Sequence, residues 1–429
     1  MVKSRHEFYF ISPVEVSAHR GGLHPFFTFI CCLISGPVTR IMMQLVEVKD
    51  TITARAFIQV NVDLHRHDPR YIRPLDKDIL DVFNPKKNKA FRYGTCARWI
   101  LTDDQGKGIG RIAAFVNKRY KNKGDAFPAG GIGFFDCINN QEAADMLFDV
   151  SRHWLSKHGM GAMDGPVNFG ERDRWWGLVT EGFQEPLYCM NYNPPYYRSL
   201  FEAYGFKPFY RQICFGLDPK KPFSEKLYQR HARWSGNREI ACIPIDKRDL
   251  EKFSEDFAYI YNKAWAGHGG LKQLRKEQVL LMFRNMKPIM DERIVWFTYY
   301  QGQPIGMFVN IPDLNQWFRY LNGKFNWLSQ LKFWWIKRTK PCKKFVGLVF
   351  GIIPEFQEKG IDAYMIVESA KVIQQTDYTE YEMQWIGDFN PKMINVAKNM
   401  GETYPSRVLT TYRYIFDPAI PFTPHPVVS

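Results

Sequence analysis

The sequence predicts an α/β protein built from two similar mixed-sheet halves in tandem. Three observations predict it. Apolar runs with the two-residue period of strands alternate with segments of helical period from about residue 44 onward. The order of elements repeats: strand, helices, hairpin, strand, helix, strand, helix, strand. Each half also closes on the same device. Asn193-Pro194-Pro195-Tyr196 opens a helix stopped by Gly205, and Asn390-Pro391-Lys392-Met393 opens one stopped by Gly401. Asn is a good helix cap, Pro suits the first turn and Gly suits a left-handed stop.

In order, 45–48 reads as a strand and 52–64 as a helix. Strands 97–102 and 110–116 form a hairpin across Asp103-Asp104-Gln105-Gly106, a turn composition. Residues 131–137 are the next strand. Residues 140–158 form an amphipathic helix, because Ala143, Met146, Leu147, Val150 and Leu155 fall at helical spacing and Gly159 stops it. A strand at 162–165, a long loop to about 188, a helix at 194–204 and a strand around 209–217 complete the first half. Pro219-Lys220-Lys221-Pro222 marks the boundary, giving domains at 44–218 and 219–429. The second half offers a strand at 240–245, helices at 250–265 and 277–285, and a hairpin of 293–300 with 303–309 around Gln301-Gly302. A strand at 345–353, a helix at 361–375, a strand at 381–386, a helix at 391–400 and a strand at 407–416 follow.

The chain has 429 residues, 45% hydrophobic and 24% charged, which excludes wholesale disorder, a collagen and a coiled coil. A formal charge of +14 favours anionic partners such as nucleic acid, acidic headgroups or phosphorylated cofactors. The basic residues are dispersed and no nucleic-acid module is present, so no nucleic-acid partner is expected. An aromatic content of 16% suits large buried rings or a greasy ligand. The eight cysteines form no C-x-x-C pair, which predicts reduced thiols in a cytosolic protein and no metal site. Residues 1–43 read as a leader or a membrane-surface segment. The apolar run Phe26-Phe27-Thr28-Phe29-Ile30-Cys31-Cys32-Leu33-Ile34 is shorter than the roughly 20 residues a spanning helix needs.

The segment Ile352-Ile353-Pro354-Glu355-Phe356-Gln357-Glu358-Lys359-Gly360-Ile361-Asp362 joins an apolar strand to a helix. It resembles the acyl-CoA signature of the GNAT acyltransferase superfamily, a Gln/Arg-x-x-Gly-x-Gly/Ala loop. The resemblance implies that backbone N–H groups there cradle the CoA diphosphate at a helix N-terminus. Gln357 and Gly360 fill the first two places and Lys359 adds a cation, while Asp362 stands where the family has a small residue. Ile352, Ile353, Ile361 and Asn390 complete the implied cofactor-binding set. The first half repeats the layout without the loop, so it is expected to be a degenerate partner. The family's usual thiolate acid, a Tyr four residues before the late Gly, is replaced by Phe201 and Ala397.

Three further strings widen the resemblance: Asp164-Gly165-Pro166-Val167-Asn168-Phe169-Gly170, Trp175-Trp176-Gly177 and Met190-Asn191-Tyr192-Asn193-Pro194-Pro195-Tyr196-Tyr197. Together they are similar to tandem GNAT-like bacterial proteins of the ceramide-synthase type. That implies transfer of an acyl group from a CoA thioester, acetyl or long-chain, to a primary amine, a sphingoid-type lipid amine first. A soluble amine or amino acid as acceptor, and a non-catalytic CoA-binding protein, are the alternatives. Asp388, Glu171 and His268 are the candidate bases, and Arg172, Asp173, Trp175, Trp176, Asn193 and Tyr196 the candidate substrate contacts. The Trp-rich basic stretch 320–338 has Phe325, Leu328, Leu331 and Trp335 on one helical face, with Phe333 and Trp334 off it. It suits an interfacial helix on anionic lipid, an acyl-chain gate or a helix buried between domains. The expected location is cytoplasmic, with peripheral contact at the inner face of the membrane as an option.

Overall fold

The computed structural model describes residues 42–122, 124–265 and 273–427. Residues 1–41 of the expected leader, and His268, lie outside the described residues. From Met42 on, the chain is one compact unit. It opens with β1 (Gln44–Glu47) and α1 (Thr51–His65), the latter capped by Asp50, whose carboxylate accepts the Thr53 N–H at 2.8 Å. Next come α2 (Asp76–Val82), β2 (Gly94–Thr102), β3 (Gly108–Asn117), β4 (Ala129–Cys137) and α3 (Gln141–Lys157). Then follow β5 (Ala162–Gly165), β6 (Leu178–Glu181), α4 (Tyr197–Tyr204) and β7 (Lys207–Leu217). Helix α5 (Glu225–Ser235) leads to β8 (Ile240–Pro244), α6 (Leu250–Ala264), α7 (Lys276–Met286), β9 (Val295–Tyr300) and β10 (Gln303–Pro312). Last are α8 (Asn315–Phe318), α9 (Trp327–Thr339), β11 (Lys344–Ile352), α10 (Ile361–Ile373), β12 (Glu380–Met383), β13 (Ile386–Gly387), α11 (Pro391–Lys398) and β14 (Tyr404–Ile415). No described helix is long and apolar enough to cross a membrane.

The periodicity misses α2, β6, α5 and α8. Three of these are short, and α5 buries only Leu227. The strand expected at 381–386 is broken into β12 and β13.

All strands join one 14-stranded sheet in the order β1-β2-β3-β4-β5-β14-β7-β12-β11-β10-β9-β8, with β6 also on β14 and β13 on β7. Both parallel contacts, β4 with β5 and β11 with β12, are short. The two long end strands are exchanged about the centre. The last strand, β14, expected to complete the second half, lies against β5 and β6; β7, from the first half, lies against β12 and β13. Sequence order cannot reveal this exchange, because both are long strands buried over most of their length and neither pattern singles out a neighbour.

Two buried arginines fasten β14. Arg407 bonds Glu382 of β12 through Nε at 2.6 Å and Nη2 at 3.0 Å, reaching across β7, and Lys344 meets the same carboxylate at 2.7 Å. Arg413 bonds Asp164 of β5 at 2.6 and 2.8 Å and Asp125 at 2.6 Å. These bidentate pairs are almost fully removed from water, so each charge depends on its partner. Arg407→Met is expected to destabilise the protein by about 3–5 kcal/mol in urea unfolding, with Arg407→Met/Glu382→Leu/Lys344→Met, which removes all three charges, recovering most of that loss.

Asp313, nearby and buried, has its carboxyl pushed up to about 7 by burial, against the pull of Lys344 and Arg407. Its folded form therefore keeps a proton that the unfolded chain has already lost above about pH 4. Its contribution to stability is full below that pH and is lost as pH rises through about 7. Asp313→Asn should then stabilise the protein by about 2 kcal/mol more at pH 8 than at pH 5, read from paired urea titrations of parent and variant.

Candidate functional site

In the second half, β11 and β12 pair from Lys344↔Glu380 to Gly347↔Met383, and the Gln384 N–H still reaches the Gly347 carbonyl at 3.1 Å. Beyond this the strands part. The register of β11 on β10 slips between Val309↔Val349 and Asn310↔Gly347, leaving Leu348 as a bulge that bends the strand. β12 stops, and the chain continues along β7 alone as β13. The gap is a cleft of about 450 Å³. Its walls are Leu348, Val349 and Phe350 of β11, Met383 to Gly387 with Phe389, one side of α11 with Met393, Val396 and Ala397, and Tyr261 and Trp265 at the end of α6. Nearly all of this lining is apolar or aromatic. Among the described lining residues there is no carboxylate and no imidazole.

Two glycines shape this cleft. A Cβ on Gly347 would stand 2.2 Å from the Tyr381 hydroxyl oxygen, and one on Gly351 2.2 Å from Trp265. Tyr381 thus lies flat on the strand, with its hydroxyl at the bulge. Burial pushes its phenol well above the ordinary range, so it stays protonated.

At the far end of β11 the chain makes the turn into α10. The Gln357 side chain donates to the Ile352 carbonyl at 2.9 Å, and Trp234 of α5 donates to the Lys359 carbonyl at 2.8 Å. Gly360 has φ +89°, and a Cβ there would lie 3.3 Å from the Arg230 carbonyl oxygen, so a left-handed backbone and a close approach both require Gly. The N–H groups of residues 358–363 have no acceptor among the described residues. They open a helix whose dipole is positive at this end. Asp362, the departure from the expected pattern, is paired with Arg230 and so does not leave a bare anion there.

The structure therefore brings Gln357, Lys359, Gly360 and Asp362 together on one turn, but the amide of Gln357 is spent inside it. Ile353 and Ile361 are core residues, Ile352 offers a carbonyl already taken, and Asn390 caps α11 and lines the cleft. Asp388 is exposed between the lining residues Gly387 and Phe389, at the cleft mouth rather than within it. Arg230 and Trp234 were not legible beforehand, because α5 lies more than a hundred residues earlier in the chain.

The first half diverges in the same way but with opposite chemistry. β4 also bulges, where Arg111↔Asp136 gives way to Ala113↔Gly133 and Phe134 takes φ +50°. Three residues past the bulge glycine the first half has Asp136 facing Arg111; the second has Phe350 facing Phe308. Asp136 accepts from Arg111 Nε at 2.6 Å and from Asn61 at 3.0 Å, and it meets His65 Nε2 at 2.7 Å. Burial pushes its carboxyl up, yet Arg111 and His65 hold it below the usual carboxylate range. The cavity beside it is only about 50 Å³. Tyr196 and Tyr197 close the strand end by bonding the carbonyl and N–H of Cys137 at 2.7 and 2.9 Å. A lone Asp inside Gly131-Ile132-Gly133-Phe134-Phe135-Asp136-Cys137 was the available signal for this cluster, which the sequence reasoning missed.

The other expected contacts are structural or peripheral. Both amide atoms of Asn193 bond the Val179 backbone, at 2.8 and 3.0 Å, so that side chain is not available to a ligand. Tyr196 is likewise committed to Cys137. Trp175 and Trp176 are buried, and Trp176 donates to Tyr210 at 2.7 Å. Arg172 lies over the Trp176 and Tyr120 rings. Glu171 and Arg172 border a basic cleft of about 600 Å³, where Asn168 Oδ1 is buried without a partner; Asp173 is exposed beside it. Glu171 is thus in the first half, on a different cleft from Asp388.

No family model matches the chain. Over 367 residues, 84% of this chain and 95% of the relative, it is 23% identical to the bacterial ceramide synthase of Caulobacter vibrioides. Over 356 residues, 81% and 89% of the two chains, it is 21% identical to protein YghO of Escherichia coli. Among solved structures it resembles the GCN5-related glucosamine N-acetyltransferase region of a fungal multi-domain beta-N-acetylglucosaminidase, with a TM-score of 0.51 and 10% identity. That match covers 88% of this chain but only 38% of the fungal one, and it concerns the fold. The α/β fold is thus GNAT-like.

If the turn before α10 is an anion seat, Arg230→Leu should weaken protection by inorganic pyrophosphate about tenfold in a thermal-shift titration, because it leaves Asp362 unpaired at the seat. Asp362→Asn in the same chain should restore most of it.

Proposed function

We propose that this chain, an N-acyltransferase on the GNAT fold, moves a fatty acyl group from a CoA thioester to the primary amine of a sphingoid-type lipid. The observation that carries this reading is the cleft between β11 and β12. It opens where a thioester would lie along a free strand edge, and its walls are almost wholly apolar. The similarity to bacterial ceramide synthase over most of both chains supports the lipid amine as acceptor. The segments 44–218 and 219–429 are read as two halves, of which the second holds acyl-CoA.

In this reading the CoA phosphates meet the N–H groups of residues 358–363, with Lys359 adding positive charge and Arg230 neutralising Asp362. The acyl chain lies against Met393, Val396 and Met400. The amine attacks the thioester carbonyl, the C–N bond forms, and the C–S bond breaks to release CoA thiol. Unpaired peptide N–H groups of β11 beyond Gly347 stabilise the oxyanion. Asp388, at the mouth, takes the amine proton through solvent. Tyr381, kept protonated, donates a hydrogen bond to the leaving sulfur, and the thiolate takes its proton from water. Tyr381 replaces the Tyr that the sequence lacks at Ala397. The reaction is assigned to the cytoplasmic side of the membrane, at the bilayer surface from which a lipid amine is drawn.

The test is release of CoA thiol from long-chain acyl-CoA in the presence of a sphingoid amine, with the amide product identified by mass. Tight CoA binding with no turnover across acyl lengths and amines would instead favour a non-catalytic CoA-binding protein. Turnover confined to acetyl-CoA and a water-soluble amine would favour the smaller acceptor. Tyr381→Phe should lower kcat about 100-fold with little change in KM. Val396→Trp, which fills the cleft, should lower kcat/KM for a long acyl chain at least tenfold while sparing acetyl transfer.

A further inference from the structure

Helix α9 faces the wrong way for a helix of a water-soluble surface. Trp327 is 68% exposed, Leu328 57%, Leu331 60%, Trp334 46% and Trp335 63%. At about 100° per residue these five side chains fall within an arc of roughly 120°, one continuous stripe along the helix. The opposite side holds Phe333 and Ile336, both buried, and Phe333 packs on Trp317 and Phe318 of α8. Phe325, expected on the same face as Leu328, belongs to that anchoring cluster instead, and Trp334, expected off the face, is on it. The helix is therefore not buried between domains. Nor is it a gate of the described cleft, since no α9 residue lines it.

The segment that bears the stripe is basic, although Arg319 pairs with Glu185 and Lys344 with Glu382 from other elements. Residues 314–354 contain no Asp or Glu, yet they carry Arg319, Lys324, Lys332, Lys337, Arg338, Lys340, Lys343 and Lys344. Lys324 and Arg338, at the two ends of the stripe, have no acidic partner among the described residues. Lys332 is held beside it by the Tyr320 carbonyl at 2.6 Å. Indole and leucine side chains framed by Lys and Arg suit the boundary between water and acyl chains, where indoles rest at headgroup depth and cations meet lipid phosphate. A second copy of this chain fits poorly, because a self-complementary contact through this face would bring the same cations together with no acid to meet them.

We infer that the Trp327-Leu328-Leu331-Trp334-Trp335 face of α9 docks on an anionic lipid bilayer, with Lys324 and Arg338 on its phosphates. The inference stands apart from the transferase reading, since it would hold for any activity of this fold.

The test is sedimentation of the full chain with vesicles of phosphatidylcholine alone or mixed with phosphatidylglycerol, at low and high salt. The parent should partition at least tenfold more strongly onto the mixed vesicles, with the preference shrinking at high salt. Trp327→Ser/Leu331→Ser/Trp335→Ser should lose at least tenfold in partition, and Lys324→Glu/Arg338→Glu should lose the preference for the anionic lipid. These side chains are exposed, so both variants should keep the parent's melting temperature and thiol release from a short acyl-CoA. If either unfolds, tryptophan quenching of the parent by bromine-labelled lipid decides. No quenching by bromines just below the headgroups would overturn the inference. So would equal vesicle binding by parent and triple variant. So too would a concentration-dependent dimer of the parent that the triple variant abolishes without any change in vesicle binding; that result would assign the face to a second copy.

Discussion

Everything at the site depends on β11 and β12 separating after Gly347. Inside a sheet, a strand edge that loses its partner exposes a row of N–H and C=O groups, and buried peptide groups are rarely left unpaired. A fold tolerates such a cut only where water or a ligand completes the ladder. Here the cut is held open from both sides. The Leu348 bulge bends β11 one way, while the chain after β12 stays on β7 as β13. β7 in turn is fixed by β14, and β14 by Arg407 and Arg413, one reaching toward each half of the sheet. The exchange of end strands therefore ties the geometry of the cleft to residues from both ends of the described chain.

The same backbone device serves two environments. Near the bulge of the first half, a buried Arg111–Asp136 pair with His65 and Asn61 consumes its own polar groups, and Tyr196 and Tyr197 seal the strand end. Near the bulge of the second half, Phe308 and Phe350 stack edge to face with centroids 5.5 Å apart, and no described side chain bonds the backbone of residues 348–351. A satisfied ionic cluster is rigid and resists an apolar guest, because displacing one partner leaves an unpaired charge. An aromatic wall costs little to rearrange around an alkyl chain. The contrast favours the second half as the seat of a greasy acyl group without any appeal to the glycine turn.

Much of this was legible in the sequence. Most strands and helices lie where the periodicity put them, because their apolar residues alternate or recur at helical spacing over a sufficient length. The turn from Gln357 to Asp362 was legible because strand, Gly and helix start are local features. The partners of that turn were not: Arg230 and Trp234 arrive through tertiary packing of a helix with one buried residue. The Asp136 cluster was hidden for the same reason, since His65, Asn61 and Arg111 come from α1 and β3. Asn193 misled in the other direction. Its setting between Tyr192 and two prolines looked like a binding string, whereas its amide imitates a strand and bonds both backbone groups of Val179.

Asp362 carries the sharpest local conflict between sequence and site. A carboxylate in the first turn of a helix is favoured by the dipole, yet at an anion seat it competes with the ligand for the same N–H groups. Pairing with Arg230 resolves the conflict. The guanidinium neutralises the carboxylate, which leaves Lys359 to offset Glu358 on the same turn and the free N–H groups to supply the positive end. Because Arg230 belongs to α5, that helix shapes the turn on which the proposed anion seat is placed: its carbonyl limits the space at Gly360, and its Trp234 fixes the Lys359 carbonyl. What looks in one dimension like a damaged signature is, in three, a turn whose electrostatics are completed by a helix from outside the motif.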